Sequence, residues 1–322
     1  MNVRGEKGMI DIYEMVNGKV AKTDTLKDDV WINMINPTVE EIDMVQKALG
    51  IDREALTAAL DDEEGSRTEI LQQYTIVLVD APTREWRNGH EEFTTFPISI
   101  TLTEKAIVTV CLQPLFAINN ILSSMNKTIN TVDVANRNRF LLQILFRIAI
   151  NYQSDLKYIE VKRNAIEESI RKATKREDLF ELHELESNLV YFKTSLSVNA
   201  SIIERISRQP RLIKTPEDRE LVDDVIVETN QALEMTTTYS QIIKGTRQLV
   251  EADLNNSLAS VMKFLTSITL IISIPTMIAS FYGMNVPLPG GSYEYSFIVL
   301  IVLMIVLCII SVMILRKRGL WR

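Results

Sequence analysis

Two stretches of the chain contain no charged residue, Phe264 to Phe281 and Phe297 to Leu315. As helices they are roughly 27–28 Å long at about 1.5 Å per residue, close to the roughly 30 Å hydrocarbon core of a bilayer. The pattern predicts two closely spaced transmembrane helices. They differ in kind. The second is almost wholly Ile, Val, Leu and Met, with Cys308 and Ser311 its mildly polar members, and suits lipid. The first carries Thr266, Thr269, Ser273, Thr276 and Ser280 at alternating steps of three and four, which puts them on one helical face. Extended back along the chain, that face reaches Met262, with Leu265 at the same end of the span. Hydroxyls return hydrogen bonds to their own helix, and Ser and Thr are common where spans pack. The stripe therefore reads as a helix interface or as the wall of a water-filled path. Two helices cannot enclose a path, so the second reading requires several copies around an axis. Pro275 removes one backbone donor within the span, and Ser273 and Thr276 are expected to accommodate the freed groups.

Upstream the pattern changes twice. Residues 1–112 read as an α/β domain, with β-like runs at Met9–Met15, Val30–Met34, Tyr74–Val79, Phe96–Leu102 and Ala106–Val110. Helices are expected at Val39–Leu49 and Arg53–Leu60, the first announced by the capping-box pair Thr38 and Glu41. Asn36-Pro37 and Ala81-Pro82 read as turns. Residues 113–215 read as helical: Ala135–Ala173 and Thr174–Gln209 are free of Pro and Gly and are expected to form a long antiparallel pair. Residues 216–282 then read as one stalk helix that continues into the first span, whose membrane part is about 264–282. The stripe Leu221, Val225, Ala232, Met235, Tyr239, Ile242 and Leu249 is expected to pack on other helices. A short external loop at 283–296, the second span at 297–315 and a basic tail at 316–322 complete the chain.

Charge orients the spans. Lys263 precedes the first, and Arg316, Lys317, Arg318 and Arg322 follow the second, while the connection carries only Glu294. Basic residues favour the cytoplasmic side, so both termini are expected inside a multi-pass cell-membrane protein. Met1 to Tyr13 holds no signal-peptide pattern, in keeping with a cytoplasmic N-terminal part. Residues 260–322 hold five Lys/Arg against one Asp/Glu, a net +4, and the rest holds 30 against 41, a net −11. An acidic body argues against nucleic acid and for cations nearby. The cysteines, Cys111 and Cys308, are far apart in sequence and suggest no disulfide framework. Neither a phosphate-binding loop nor a His-centred constellation is present, so no enzyme activity and no cofactor is expected.

The first span ends in Tyr282-Gly283-Met284-Asn285. Gly283 permits close approach of helices or a helix end with positive φ. Together with two C-terminal spans, the tail Arg316-Lys317-Arg318 with Trp321, and the segments Leu182-His183-Glu184-Leu185-Glu186 and Leu189-Val190-Tyr191-Phe192-Lys193-Thr194, this motif resembles the CorA-type family of divalent-cation channels. The resemblance implies a funnel-shaped homopentamer in which the first spans line a pore for hydrated Mg²⁺. Gly283, Met284 and Asn285 would form the selectivity filter. Thr276, Ser273, Thr269, Thr266, Leu265 and Met262 would line the path, with Met262 and Leu265 as an apolar constriction. It also implies closure by cytoplasmic Mg²⁺, with Asp224 and the adjacent Asp223 as regulatory ligands and Asp61, Asp62 or Asp80 as partner carboxylates. Glu294 would draw cations to the outer mouth or be simply solvated. Two departures stand out: Ala259 stands where family members carry a polar Asn, with Asn255 and Asn256 nearby, and the outer loop differs from the family's common acidic form, though Glu294 remains. Transport of Zn²⁺, Co²⁺ or Ni²⁺ is the near alternative. A membrane-anchored oligomeric sensor or scaffold without conduction is the remote one.

Overall fold

The computed structural model describes residues 9–16, 19–61, 64–87, 90–125, 133–172, 175–285 and 295–318. The chain divides into two compact units, residues 1–245 and 246–322.

The first unit is built on a seven-stranded sheet. Its strands are β1 (Met9–Val16), β2 (Lys19–Thr23), β3 (Val30–Ile35), β4 (Arg67–Ile70), β5 (Tyr74–Arg87), β6 (His90–Thr103) and β7 (Ala106–Cys111), in the order β2-β1-β3-β7-β6-β5-β4. Among the described strands only the β3–β7 pair is parallel. These two strands are apolar at nearly every position because the sheet is covered on both faces. Trp31 and Ile107 point into the larger core, and Ile32 and Val108 into the smaller one. The polar residues among them are satisfied in sequence: Trp31 Nε1 donates to Thr109 Oγ1 at 2.8 Å, and Thr109 Oγ1 donates to Asn33 Oδ1 at 2.9 Å.

The smaller core is closed by α1 (Val39–Leu49) and α2 (Arg53–Thr57), the latter followed by a 3₁₀ turn at Ala58–Leu60. The predicted Arg53–Leu60 helix thus tightens at its end. The capping box forms as expected: Glu41 N donates to Thr38 Oγ1 at 3.3 Å and Thr38 N to Glu41 Oε2 at 2.8 Å. Gly50 closes α1 with a left-handed φ of 68°.

The larger core lies between the sheet and α3 (Phe116–Met125), α4 (Arg137–Lys172), α5 (Arg176–Ser207) and the first part of α6 (Pro216–Tyr282). Tyr152 packs edge-on to Phe192, and Ser169 bonds Asp178 near the turn, so α4 and α5 are antiparallel. Gln153 Nε2 donates to Glu228 Oε2 at 2.6 Å and Tyr239 donates to Glu160 Oε2 at 2.8 Å, so α6 runs parallel to α4.

Three expectations are corrected. Ala81-Pro82 is no turn: β5 runs through it, with Pro82 opposite Thr95. Neither β5 nor β6 has a second neighbour there, so the missing proline donor breaks no ladder on a third strand. On α6 ahead of the span, Asp218, Val222, Val225, Thr229, Ala232, Thr236, Ile243 and Val250 are the buried positions, whereas Ile242 and Leu249 are exposed. The buried stripe keeps the expected seven-residue repeat, but one of its two lines lies a residue further on: Val222, Thr236, Ile243 and Val250 are buried where Leu221, Met235, Ile242 and Leu249 were expected, and Leu221 and Met235 pack at its edge. Strands β2 and β4 were not expected at all.

In the second unit, α6 continues without interruption to Tyr282, and α7 (Ser296–Lys317) follows. Pro216 sits in the first turn of α6, where its missing donor costs nothing. Thr215 and Asp218 cap each other's backbone there, at 3.1 and 3.2 Å. Gly245, Asn255 and Asn256 do not break the helix.

Candidate pore-lining helix and acidic sites

Among the described residues two helices are long and apolar enough to cross a membrane, the C-terminal part of α6 and α7. Most of their side chains are exposed in the single chain, including Met262, Leu265, Leu270 and Met277 of α6 and Phe297, Val302 and Ile309 of α7. Apolar surface of this extent requires lipid or other protein against it. The chain is a multi-pass membrane protein.

The two helices meet along one narrow line. The less exposed residues of α6 are Ser267, Ile268, Ile271, Ile274, Pro275 and Ile278, and those of α7 are Leu300, Met304, Leu307, Cys308, Ser311, Val312 and Leu315. Both sets recur at three- and four-residue steps. Cys308 Sγ lies 3.8 Å from the Ile271 carbonyl oxygen. Both residues are nearly equidistant from the connection, as an antiparallel hairpin requires.

The hydroxyl stripe is on the other side of α6. At about 100° per residue, Thr269, Ser273, Thr276 and Ser280 centre roughly 180° from Ile271, with Thr266 just beside them. Thr266, Thr269, Ser273, Thr276 and Ser280 are all exposed, and so are Met262 and Leu265. Three of the hydroxyls are turned back on the helix: Thr269 donates to Leu265 O at 2.9 Å, Ser273 to Leu270 O at 2.9 Å and Thr276 to Ile272 O at 2.8 Å. A back-bonded hydroxyl keeps its lone pairs facing outward as acceptors. None of the three reaches the Ile271 carbonyl, which Pro275 leaves without its i+4 donor. The donor comes from Cys308 instead, a correction to the role expected of Ser273 and Thr276. Asn255 and Met262 continue the stripe's line toward the first unit's end of α6, and Ala259 is shifted to its edge; all three are exposed.

Gly283, Met284 and Asn285 follow the last turn of α6. Gly283 N donates to Ala279 O at 3.0 Å and Met284 N to Phe281 O at 3.2 Å, so the ladder persists into the motif. Gly283 does not take a positive φ. The expectation of a left-handed helix end is thereby corrected, and a Cβ there would meet only Ala279 O at 3.4 Å and Ser280 O at 3.6 Å. Met284 and Asn285 are exposed. Glu294 lies outside the described residues.

The expected regulatory carboxylates are in the first unit. Asp223 and Asp224 are exposed on α6. Asp224 lines an open cavity of about 420 Å³ with Asp133, Arg139, Gln143, Glu217, Glu220 and Leu221. Backbone and Thr215 hydrogen bonds hold the Glu217 carboxyl below its ordinary range. Among the described residues no group of three or more His, Cys, Asp or Glu is close enough to hold a metal ion. Asp61 is exposed, and Asp62 lies outside the described residues. Asp80 is engaged within the chain: Ser195 donates to its carboxylate at 2.7 Å, its N–H donates to Asn199 Oδ1 at 3.1 Å, and its carbonyl accepts from Asn199 at 2.8 Å and Tyr152 at 3.1 Å. Sequence reasoning missed this knot, whose members are spread over three elements.

No cysteine or histidine occurs on the stripe. Cys111 is buried in β7, and burial pushes its thiol up to about 12. Cys308 faces the hairpin seam, and His183 is exposed on α5.

The profile of the CorA-like Mg2+ transporter protein family matches residues 27–317. The chain is 28% identical over 292 residues to the cobalt/magnesium transport protein CorA of Methanocaldococcus jannaschii, covering 90% of each chain. The complete structure of the CorA magnesium transporter from that organism superposes with a TM-score of 0.86 at 25% identity, covering 97% of this chain and 99% of that one. The ZntB cytoplasmic domain from Vibrio parahaemolyticus shares the fold of 78% of this chain, with a TM-score of 0.64 at 12% identity over all of that domain.

Proposed function

The chain belongs to the CorA-like Mg2+ transporter family, whose work is divalent-cation transport rather than catalysis, and from that premise we propose that it conducts hydrated Mg²⁺ passively through a homopentamer. In this reading five copies of α6 surround the path, and α7 stands outside them toward lipid. Asn285 with Gly283 and Met284 forms the outer filter. Thr276, Ser273, Thr269 and Thr266 line the path beneath, and Met262 and Leu265 narrow it.

The observation that carries the reading is the opposition of faces on α6. Its hydroxyl line is turned away from the helix that packs on it within the chain. Thr269, Ser273 and Thr276 donate to their own helix, but their outward lone pairs remain open to donors, which further copies or an aqueous lumen would supply. A ring of amide and hydroxyl oxygens can accept hydrogen bonds from the waters of Mg²⁺, which gives up its shell reluctantly. Uncharged acceptors attract a cation without trapping it. No cysteine or histidine occurs on this line, which favours Mg²⁺ over Zn²⁺, whose sites use sulfur and imidazole.

Closure by cytoplasmic Mg²⁺ is part of the proposal, through Asp224 with Asp223 at its side. The carboxylates around Asp224 repel one another until a cation lies between them. Both termini would then be cytoplasmic, with Glu294 near the outer mouth. Purified protein in liposomes tests the whole. The expected result is Mg²⁺ uptake driven by the gradient alone, by particles whose mass in detergent corresponds to five chains. Zn²⁺ uptake that needs a proton gradient, or transport by a monomer or dimer, overturns it.

A further inference from the structure

One cavity of the first unit takes no part in the proposed transport path. It has a volume of about 250 Å³ and opens where the β5–β6 ribbon meets α4 and α5. Leu185 and Ile166 give it an apolar wall, and Trp86 and Tyr158 an aromatic one. Asn188 also lines it. That residue is 4% exposed, and among the described residues its side-chain amide has no hydrogen-bond partner. The amide is not sealed from the cavity it lines, so it is open to a partner bound there.

The mouth is acidic. Glu91, Glu181 and Glu184 line it against a single Lys162. Glu91 is already met by Arg84 at 3.7 Å. Glu181 and Glu184, neighbours one turn apart on α5, are exposed and have no ion pair among the described residues. The rings have an affinity for cations that the chain itself uses: Arg84 Cζ lies 4.6 Å and Lys162 Nζ 5.9 Å from the Tyr158 ring centre. Trp86, at 75% exposure, is the most exposed large apolar side chain on this unit and makes no ring contact among the described residues.

We propose that this cavity binds a linear polyamine. An alkyl chain with ammonium groups uses every wall at once. Its methylenes cover Leu185, Ile166 and Trp86. Its ammonium groups lie on the free Trp86 face and against Glu181 and Glu184. Its N–H donors reach the Asn188 carbonyl. A hydrated divalent cation would use only the carboxylates, because its water shell seeks oxygen on all sides. The volume equals about eight waters at roughly 30 Å³ each, which suits an amine segment and not a nucleotide. The inference does not depend on the transport reading.

The test uses the full-length protein in detergent, with spermidine as probe and Trp86 emission as readout, at about 0.15 M salt to screen diffuse attraction. Trp86→Phe identifies the signal. Spermidine is expected to give a saturable change. Glu181→Gln with Glu184→Gln, and separately Asn188→Leu, should each weaken it about tenfold. The double variant alters only exposed side chains, so it reports even if Asn188→Leu does not fold. An unchanged affinity in the double variant overturns the proposal. So does an equal, saturable response to Mg²⁺ at the same charge concentration, which would reduce the cavity to an acidic surface.

Discussion

The Cys308 thiol lies 3.8 Å from the carbonyl oxygen of Ile271. That carbonyl is the one Pro275 leaves without a helical donor, since proline has no N–H and Ile271 stands four residues before it. A kink-prone position in α6 is thus matched by a donor on α7.

Cys308→Val should therefore destabilise the hairpin by about 0.6 kcal/mol, the average for an interhelical hydrogen bond in a membrane. Pro275→Ala restores the helix's own bond and should cancel most of that loss when the two substitutions are combined. Thermal unfolding of the single and double variants in detergent measures the coupling. Additive losses would show that the thiol and the freed carbonyl act independently.

Gly283→Ala makes a sharper distinction. Gly283 has an ordinary helical continuation and room for a Cβ within its own chain. The substitution should leave secondary structure and single-chain stability unchanged within about 0.5 kcal/mol. Mg²⁺ flux in liposomes should nonetheless fall if neighbouring copies approach at this point. Full flux from a stable Gly283→Ala protein would remove close approach from the motif's role.

What was legible in the sequence followed local chemistry. Thr38 and Glu41 announced α1 because a capping box is a contact between residues three apart. The two apolar runs announced the spans for the same reason. The β2 strand and the polar Arg67–Ile70 strand were not visible because an edge strand needs neither length nor an apolar face. Ala81-Pro82 misled because a proline breaks a strand only where a neighbour needs its donor. The hydroxyl line was readable from spacing, but its opposition to α7 was not. That depends on which face of α6 α7 covers, a long-range fact. The knot around Asp80 was equally out of reach, since Tyr152, Ser195 and Asn199 come from α4 and α5.

Asp80 and Asp224 should respond in opposite ways. Asp80→Ala removes the carboxylate that Ser195 meets at 2.7 Å, leaving it Thr95 as partner, and should cost about 1–3 kcal/mol of stability, with the Mg²⁺ inhibition curve unmoved. Asp224→Ala removes an exposed carboxylate and should leave stability within about 0.5 kcal/mol, while shifting inhibition to higher cytoplasmic Mg²⁺. Urea unfolding and Mg²⁺ titration of channel current measure the two effects. A stable Asp80→Ala protein with altered inhibition would exchange their roles.

The periodicity of α6 offers the most direct test of the transport path. In a background with Cys308→Ser, which keeps a donor for Ile271, and Cys111→Ala, single cysteines are placed along the helix. Thr269→Cys, Ser273→Cys and Thr276→Cys lie on the outward line, and Ile271→Cys, Ile274→Cys and Ile278→Cys lie on the face toward α7. A water-filled path makes the first three reactive, because a thiol must ionise to react and ionises only in contact with water. A charged thiol reagent should therefore block Mg²⁺ flux at 269, 273 and 276. It should spare 271, 274 and 278, where neighbours two residues away lie about 200° around the helix. Asn285→Ala belongs in the same series, since it removes the outer acceptor without adding charge and should abolish flux while leaving the oligomer intact. Mg²⁺-protection of the outward cysteines, absent on the other face, would tie their exposure to the ion's route. Equal labelling on both faces, or flux that survives labelling of all three outward positions, would place the path elsewhere than along this line of α6.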